Sequence, residues 1–279
     1  MNAVYEKISL LLRERHIDLF APIGLSDCKI MRKYLLDKSD ISPEGGSAVM
    51  IAVPYRVKDE IVGNISEYAK SRDYHLFFSS LFNEMIPILR QTFPEHRFEG
   101  FADHSPIDEI NAAALAGLGT IGANGLLITP KYSSFVFVGE IVTSAEIEYE
   151  KHDISLCENC GLCLRACPIG CDKQLCLSAI TQKKGTLSSE EADLIVTYGS
   201  AWGCDICQNV CPHTQKAIES GSVYSSIPFF NQKRIPYLTY DILNGMSEDE
   251  FKERAYAWRG KATLLRNLRL LEGLNDSDK

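Results

Sequence analysis

Of 279 residues only two are tryptophan and five methionine. No stretch approaches the roughly 18 consecutive apolar residues of a membrane-spanning helix, so a membrane protein is not expected. Positive charge is in deficit: 29 Lys and Arg stand against 37 Asp and Glu, a net charge of -8. With a pI near 5.3, that balance excludes a surface coated for polyanions, while a local basic patch stays open. The chain has no low-complexity linker and no internal repeat outside its cysteine runs. The first twenty residues lack the unbroken apolar core of a signal peptide, because Glu6, Lys7, Arg13, Glu14 and Arg15 interrupt Val4, Ile8, Leu11 and Leu12. They predict an amphipathic helix over residues 2–20. Cysteine itself is scarce over most of the chain: Cys28 is alone before Cys157, and reads as a buried apolar residue.

The other nine cysteines crowd between Cys157 and Cys211. Cys157, Cys160, Cys163 and Cys167-Pro168 form the run C-x2-C-x2-C-x3-C-P, in which three thiolates hold one iron-sulfur cluster and the fourth holds another. A shortened run, Cys204, Cys207 and Cys211-Pro212, supplies three more thiolates, and Cys176 between the runs makes up the count. The crossing rule then gives two 4Fe-4S tetrads: Cys157, Cys160, Cys163 and Cys211, and Cys167, Cys176, Cys204 and Cys207. Each proline turns the chain away from its cluster by fixing φ and removing a donor. Zinc ribbons come as separated pairs without this rhythm. Disulfides would need an exporting context, and thiol-ligated clusters without one fit a reducing cytoplasm. Cys171 is a spare thiol or an alternative to Cys176.

A 45% hydrophobic content supports a full core. The patterning predicts an α+β chain in three parts: a mixed α/β domain over residues 1–150, a ferredoxin-like double-cluster domain over 151–225, and a helical tail over 226–279. Runs rich in β-branched and aromatic residues at 48–53, 97–102, 126–129 and 135–143 predict strands. Residues 65–91 predict a second helix, and 111–117 a helix of small side chains ending at Gly117. Gly117, Gly119 and Gly122 do not make a dinucleotide fingerprint, since both the glycine order and the strand-to-helix setting are missing. From Lys252 to Arg269 the pattern predicts one amphipathic helix with a basic face, either solvated or contacting phosphate.

Two clusters form an electron wire, and the preceding 150 residues most economically house what stands at its end. Here the residues carry a resemblance. The cysteine runs, with Cys176-Leu-Ser178 and Gly203-Cys204-Asp205-Ile-Cys207-Gln208, resemble those of the epoxyqueuosine reductases. So do Tyr68-Ala69-x-x-Arg72-Asp73-Tyr74-His75, Asp103-His-Ser-Pro106, Ala116-Gly117-Leu118-Gly119 and Phe135-Val-Phe-Val-Gly139-Glu140. The resemblance spans roughly residues 1–270 and is shared more loosely with reductive dehalogenases. It implies a nitroreductase-like first domain that binds cobalamin, fed by the clusters from an external low-potential donor such as flavodoxin or ferredoxin. It also implies reduction of an epoxide on the cyclopentane ring of a modified tRNA base to an alkene, with loss of water, by a cytoplasmic monomer. Asp103 matches the family's proton donor, which near neutral pH requires burial to raise its pKa; Phe98, Phe101 and Ala102 are expected to supply the apolar setting. Tyr68, His75, Asp103, Leu127, Val138, Ser178 and Asp205 match positions around the corrin, with His75 not expected as an axial ligand.

Several positions depart from the family. Ile110 replaces its usual Arg and Ala123 its usual Lys, each removing positive charge where a phosphate or base would sit. The loop from Cys167 to Cys176 is shorter than usual, and of the helical repeats expected after the cluster domain only a first helix, 257–267, is recognisable. These departures keep two alternatives in view: a cobalamin-dependent reductase of another small electrophile, and a non-catalytic iron-sulfur electron carrier.

Overall fold

The computed structural model describes residues 2–171 and 176–274. The chain divides into two compact units, neither continuous in sequence: Met1–Tyr55, His75–Asn159 and Lys216–Ile227 form the first, and Arg56–Tyr74, Cys160–Gln215 and Pro228–Lys279 the second. The division passes through the first cysteine run, between Asn159 and Cys160.

The first unit is built on an antiparallel sheet of β1 (Phe20–Gly24), β2 (Ser47–Pro54), β3 (Phe98–Phe101) and β6 (Val136–Thr143), in the order β1-β2-β6-β3. A separate ribbon pairs β4 (Thr120–Ile121) with β5 (Leu127–Ile128). Every residue of β2 is buried, as suits a central strand reading Ser-Ala-Val-Met-Ile-Ala-Val-Pro. Four helices belong here: α1 (Ala3–Arg13), α2 (Lys33–Lys38), α3 (Tyr74–Thr92) and α4 (Glu109–Leu115). Buried Ala112, Ala113 and Ala114 let α4 lie close on β2 and β6, in one cluster with Ala48, Met50, Ala52 and Val142. The same cluster takes in Cys28, which is buried and pushed up to about 12 first by that burial, as expected of an inert thiol.

The second unit is helical: α5 (Leu162–Ala166), α6 (Leu177–Thr181), α7 (Ser189–Tyr198), α8 (Ile206–Asn209), α10 (Pro228–Asn231), α11 (Tyr240–Gly245), α12 (Glu248–Lys252) and α13 (Lys261–Glu272), while α9 (Pro212–Glu219) runs on into the first unit's segment. Trp202 and Tyr256, both fully buried, centre a core with Leu238, Leu243, Leu264 and Leu268. Buried Asn267 donates to the carbonyls of Thr181 and Ala201, at 2.7 and 2.9 Å, satisfying backbone that no regular ladder reaches.

All four sequence-predicted strands are present within a residue or two, and the small-residue helix ends at Gly117 with φ +80. Three helix expectations are corrected. The first helix stops at Arg13: His16 turns left-handed at φ +61, and the chain re-enters as β1, where Phe20 pairs with Ile51. Residues 65–73 do not join α3, because Ile65 bridges to Trp202 and the Ser66 and Glu67 donors are taken by Asp205. The basic C-terminal stretch is two helices divided by a 3-10 turn and Gly260 at φ +83. Much of its positive charge is used within the second unit: Arg254 donates to Lys233 O, Lys261 to Met246 O, and Arg266 to the carbonyls of Lys183 and Gly185. Among the described residues no helix is long and apolar enough to cross a membrane.

Candidate active site

β3 ends at Phe101 and the chain turns sharply, with Asp103 left-handed at φ +65, a conformation Asp tolerates better than most residues. The turn is held from below. The Asp103 backbone N–H donates to Glu109 Oε1 at 3.0 Å, Ser105 Oγ donates to Glu140 Oε1, and Ser105 Oγ accepts from Ile107 N at 3.0 Å. Arg32 Nη1 donates to Ser105 O at 3.0 Å. Glu109 lies in the first turn of α4, whose N-cap Asp108 accepts from Asn111 N, and Glu140 lies in β6 between Met50 and Phe101 on the neighbouring strands.

Glu140 is fully buried and within hydrogen-bonding reach of Glu109. Burial, then the repulsion of the neighbouring Glu109 carboxylate, pushes Glu140 well above the usual range; burial pushes Glu109 up to about 7, against the hydrogen bond from the Asp103 backbone N–H, which lowers it more than the Asp103 charge raises it. Among the described residues Glu140 Oε2 finds no hydrogen-bond donor while both acids are ionised. A proton held between the two carboxyls would supply one.

The Asp103 side chain is 70% exposed, with Oδ2 at 3.6 Å from Nε2 of His75 at the start of α3. The His75 imidazole beside it holds its carboxyl below the usual range, against a smaller opposing push from burial. The expected upward shift is therefore corrected. Phe98 is buried and Phe101 packs on the sheet core, so the aromatic surface of β3 is spent inward while Asp103 turns outward.

The other predicted positions divide between the units. In the first, Leu127 is buried in the core and Val138 is half-buried against it. In the second, Tyr68 is enclosed, its hydroxyl accepting from Trp202 Nε1 at 2.7 Å and its pKa raised by burial. Asp205 accepts from Ser66 Oγ at 2.5 Å, Glu67 N at 2.7 Å and Gln208 Nε2 at 3.0 Å, and burial raises its pKa despite these donors. Ser178 Oγ accepts from Gln182 Nε2 at 3.0 Å. Ile110, where the family's arginine is expected, packs on the sheet core, and the Ala123 N–H donates to Cys157 Sγ at 3.3 Å.

None of the ten cysteines is in a disulfide. Among the described residues no three ligand-type side chains close to metal-binding distance. Yet the thiols of the second unit crowd electrostatically. Cys204 is pushed up to about 12 first by burial and then by Asp205, Cys207 and Cys176; Cys171 reaches about 12 by burial and the nearness of Cys167, Cys207 and Cys163. Partly buried thiols gathered without a cation are the donor chemistry that iron relieves, since ligation displaces their protons. Residues 172–175, inside the loop expected to be short, lie outside the described part.

Glu109 and Glu140 were missed as site residues. The available signal was an acid in the otherwise uncharged strand Val136–Thr143, where only a paired or protonated carboxyl is tolerated.

No family model matches the sequence. A curated relative from Lactococcus garvieae, an epoxyqueuosine reductase, is 32% identical, with the alignment covering 96% of this chain and 86% of the relative. The chain belongs to the epoxyqueuosine reductase family. Another epoxyqueuosine reductase, from Listeria monocytogenes, is 27% identical over 92% of this chain and 70% of its own length. A crystal structure of an epoxyqueuosine reductase with an epoxyqueuosine-modified tRNA-Tyr stem loop superposes with a TM-score of 0.74 over 96% of this chain and 81% of that one, at 24% identity, a likeness of fold.

Proposed function

We propose that this chain reduces the epoxide of epoxyqueuosine in tRNA to the alkene of queuosine. The observation that carries this reading is the 32% identity to an epoxyqueuosine reductase over nearly the whole chain; the Asp103–His75 pair supports it, as an acid placed beside a basic partner at an open turn. Cobalamin would supply the two-electron chemistry and two 4Fe-4S clusters the electron route from an external donor.

The chain's own part is proton and position. Opening an epoxide leaves negative charge on oxygen, which Asp103 would meet with a proton. Its exposed carboxyl is ionised at neutral pH as it stands; covering it with substrate removes water and drives its pKa upward, which lets it carry a proton to the oxygen. His75, Asp103 and Val138 offer accessible side chains for a corrin, and buried Leu127 would shape the wall behind them. Tyr68, Ser178 and Asp205, in the second unit, remain candidate cofactor positions. Eight cysteines would hold the clusters as the two tetrads, with Cys171 a fifth thiol near Cys167 and Cys207.

The test is turnover: anaerobically reconstituted protein with cobalamin, a strong reductant and tRNA bearing epoxyqueuosine, followed by mass analysis of the nucleosides. Queuosine is expected. Full cofactor loading with no queuosine would overturn the assignment and favour another small electrophile, as Ile110 and Ala123 in place of basic residues would permit.

A further inference from the structure

The turn carrying Asp103 is tied to two acids that the reaction itself does not use. Glu109 accepts from the Asp103 backbone N–H, Glu140 accepts from Ser105 Oγ two residues on, and the two carboxyls meet beneath the turn. We propose that Glu109 and Glu140 share one proton and act as positioning residues, latching the Asp103 turn to the sheet while the proton is present and releasing it when the proton leaves.

The geometry requires the proton. Glu140 is 0% exposed, and its Oε2 has no donor among the described residues unless one of the acids is protonated. Among the described residues no cation neutralises the pair at contact. Arg32 acts on Glu109 from a distance and spends a guanidinium N–H on Ser105 O; His75 is turned to Asp103, and His104 Nε2 to the Tyr34 hydroxyl at 2.8 Å. Cys28, the other titratable group that senses Glu140, stays a neutral thiol. Loss of the shared proton leaves two buried negative charges side by side beneath Asp103, a third. The least costly relief is to let Glu109 and the turn it holds move toward water, because Glu140 is fixed in a central strand. Ser105 opposes release by stabilising the charged form of Glu140.

The latch rests on the functional reading only in giving Asp103 a reaction to serve, so its test uses the reconstituted full chain without substrate. Amide exchange of residues 103–107 is followed by mass spectrometry after correction for the intrinsic rate. Protection is expected to fall about tenfold between about pH 6 and about pH 8. A neutral-carboxyl infrared band should be present at the lower pH and vanish across the same range. Glu140→Gln should abolish the step, because one buried charge no longer faces another, while a neutral-carboxyl band from Glu109 alone remains at the lower pH. Ser105→Ala, a milder change, should move the step to higher pH. Protection that is flat with pH in the wild type, no neutral-carboxyl band, or a step unchanged in Glu140→Gln would each overturn the latch. Should queuosine fail to form while the step persists, the functional reading falls and the latch stands. Queuosine formed by a chain with no step means the opposite: the function stands and the latch falls.

Discussion

In the second unit Asp59 is enclosed together with its cations: Arg234 donates to both of its carboxylate oxygens, each from Nη2 at 2.7 Å, and Lys70 donates at 2.9 Å, with all three side chains at most 10% exposed. In the first unit the donors to Glu109 and Glu140 among the described residues are a serine and a backbone N–H. The outcomes are opposite. Burial alone would raise Asp59, yet its hydrogen bonds to Arg234 and Lys70 outweigh burial and hold it below the usual range, whereas both acids of the first unit rise. A compensated carboxylate stays charged at all working pH and serves as a fixed strut. An uncompensated pair must carry a proton, and so can change state near neutrality. Asp103 differs from both: its side chain is open to water, and the nearby His75 holds its carboxyl below the usual range.

That contrast predicts separable effects. Asp103→Asn should lower turnover by about 10²- to 10⁴-fold, the usual range for a removed general acid. Denaturant unfolding and cluster loading should not change; a parallel loss of stability would mean that Asp103 is structural. Arg234→Met should do the reverse, costing about 3–5 kcal/mol in urea unfolding by leaving Asp59 short of charge in a buried site. A cost under about 1 kcal/mol would show that Lys70 alone suffices and that the two carboxylate clusters differ less than their contacts imply.

The pH dependence of stability should come from the first unit. Glu109, raised from an unfolded value near 4.5 to about 7, binds more proton folded than unfolded between those values. Its contribution is complete below about pH 4.5 and is lost as pH climbs through about 7, on the order of 3 kcal/mol. Glu140→Gln should flatten this slope, while Asp59, with its pKa depressed, contributes stability that disappears only on acidification through the ordinary carboxylate range. Thermal unfolding of the wild type and the variant across that window is the check.

The strands were legible because β-branched and aromatic runs are local signals, and all four expected ones were found. Residues 65–73 were misread because an apolar rhythm at three to five residue intervals does not reveal that Ser66 and Glu67 will be captured by Asp205, far along the chain. The single basic helix failed similarly: Arg254, Lys261 and Arg266 look like a solvated face in sequence, but in space they cap carbonyls left open by short helices. At the site, the sequence offered Asp103 as a candidate, but its electrostatics could not be read from it. The aromatic neighbours in sequence point into the core, and the partner that sets its pKa, His75, comes from another helix. The cysteine spacing behind the proposed tetrads is a local signal like that of the strands, since ligand rhythm would be dictated by a cluster rather than by distant packing.

The smallest effect sharpens the comparison by taking burial away. Lys233 donates to Glu253 at 2.8 Å, about as close as Lys70 lies to Asp59, but its side chain is 57% exposed. The hydrogen bond from Lys233 still holds the Glu253 carboxyl below the usual range. Water and salt screen such a pair, and ordering a long side chain consumes much of what remains. Lys233→Gln should therefore cost less than about 1 kcal/mol, and added salt should reduce even that. Arg234→Met should keep its several-kcal/mol cost at the same salt, because solvent ions do not enter its site. Equal costs for the two replacements would mean that counting cations, rather than enclosing them, decides whether a carboxylate here is a strut; the reasoning that singles out Glu109 and Glu140 would then lose its basis, since it depends on burial turning a missing cation into a required proton.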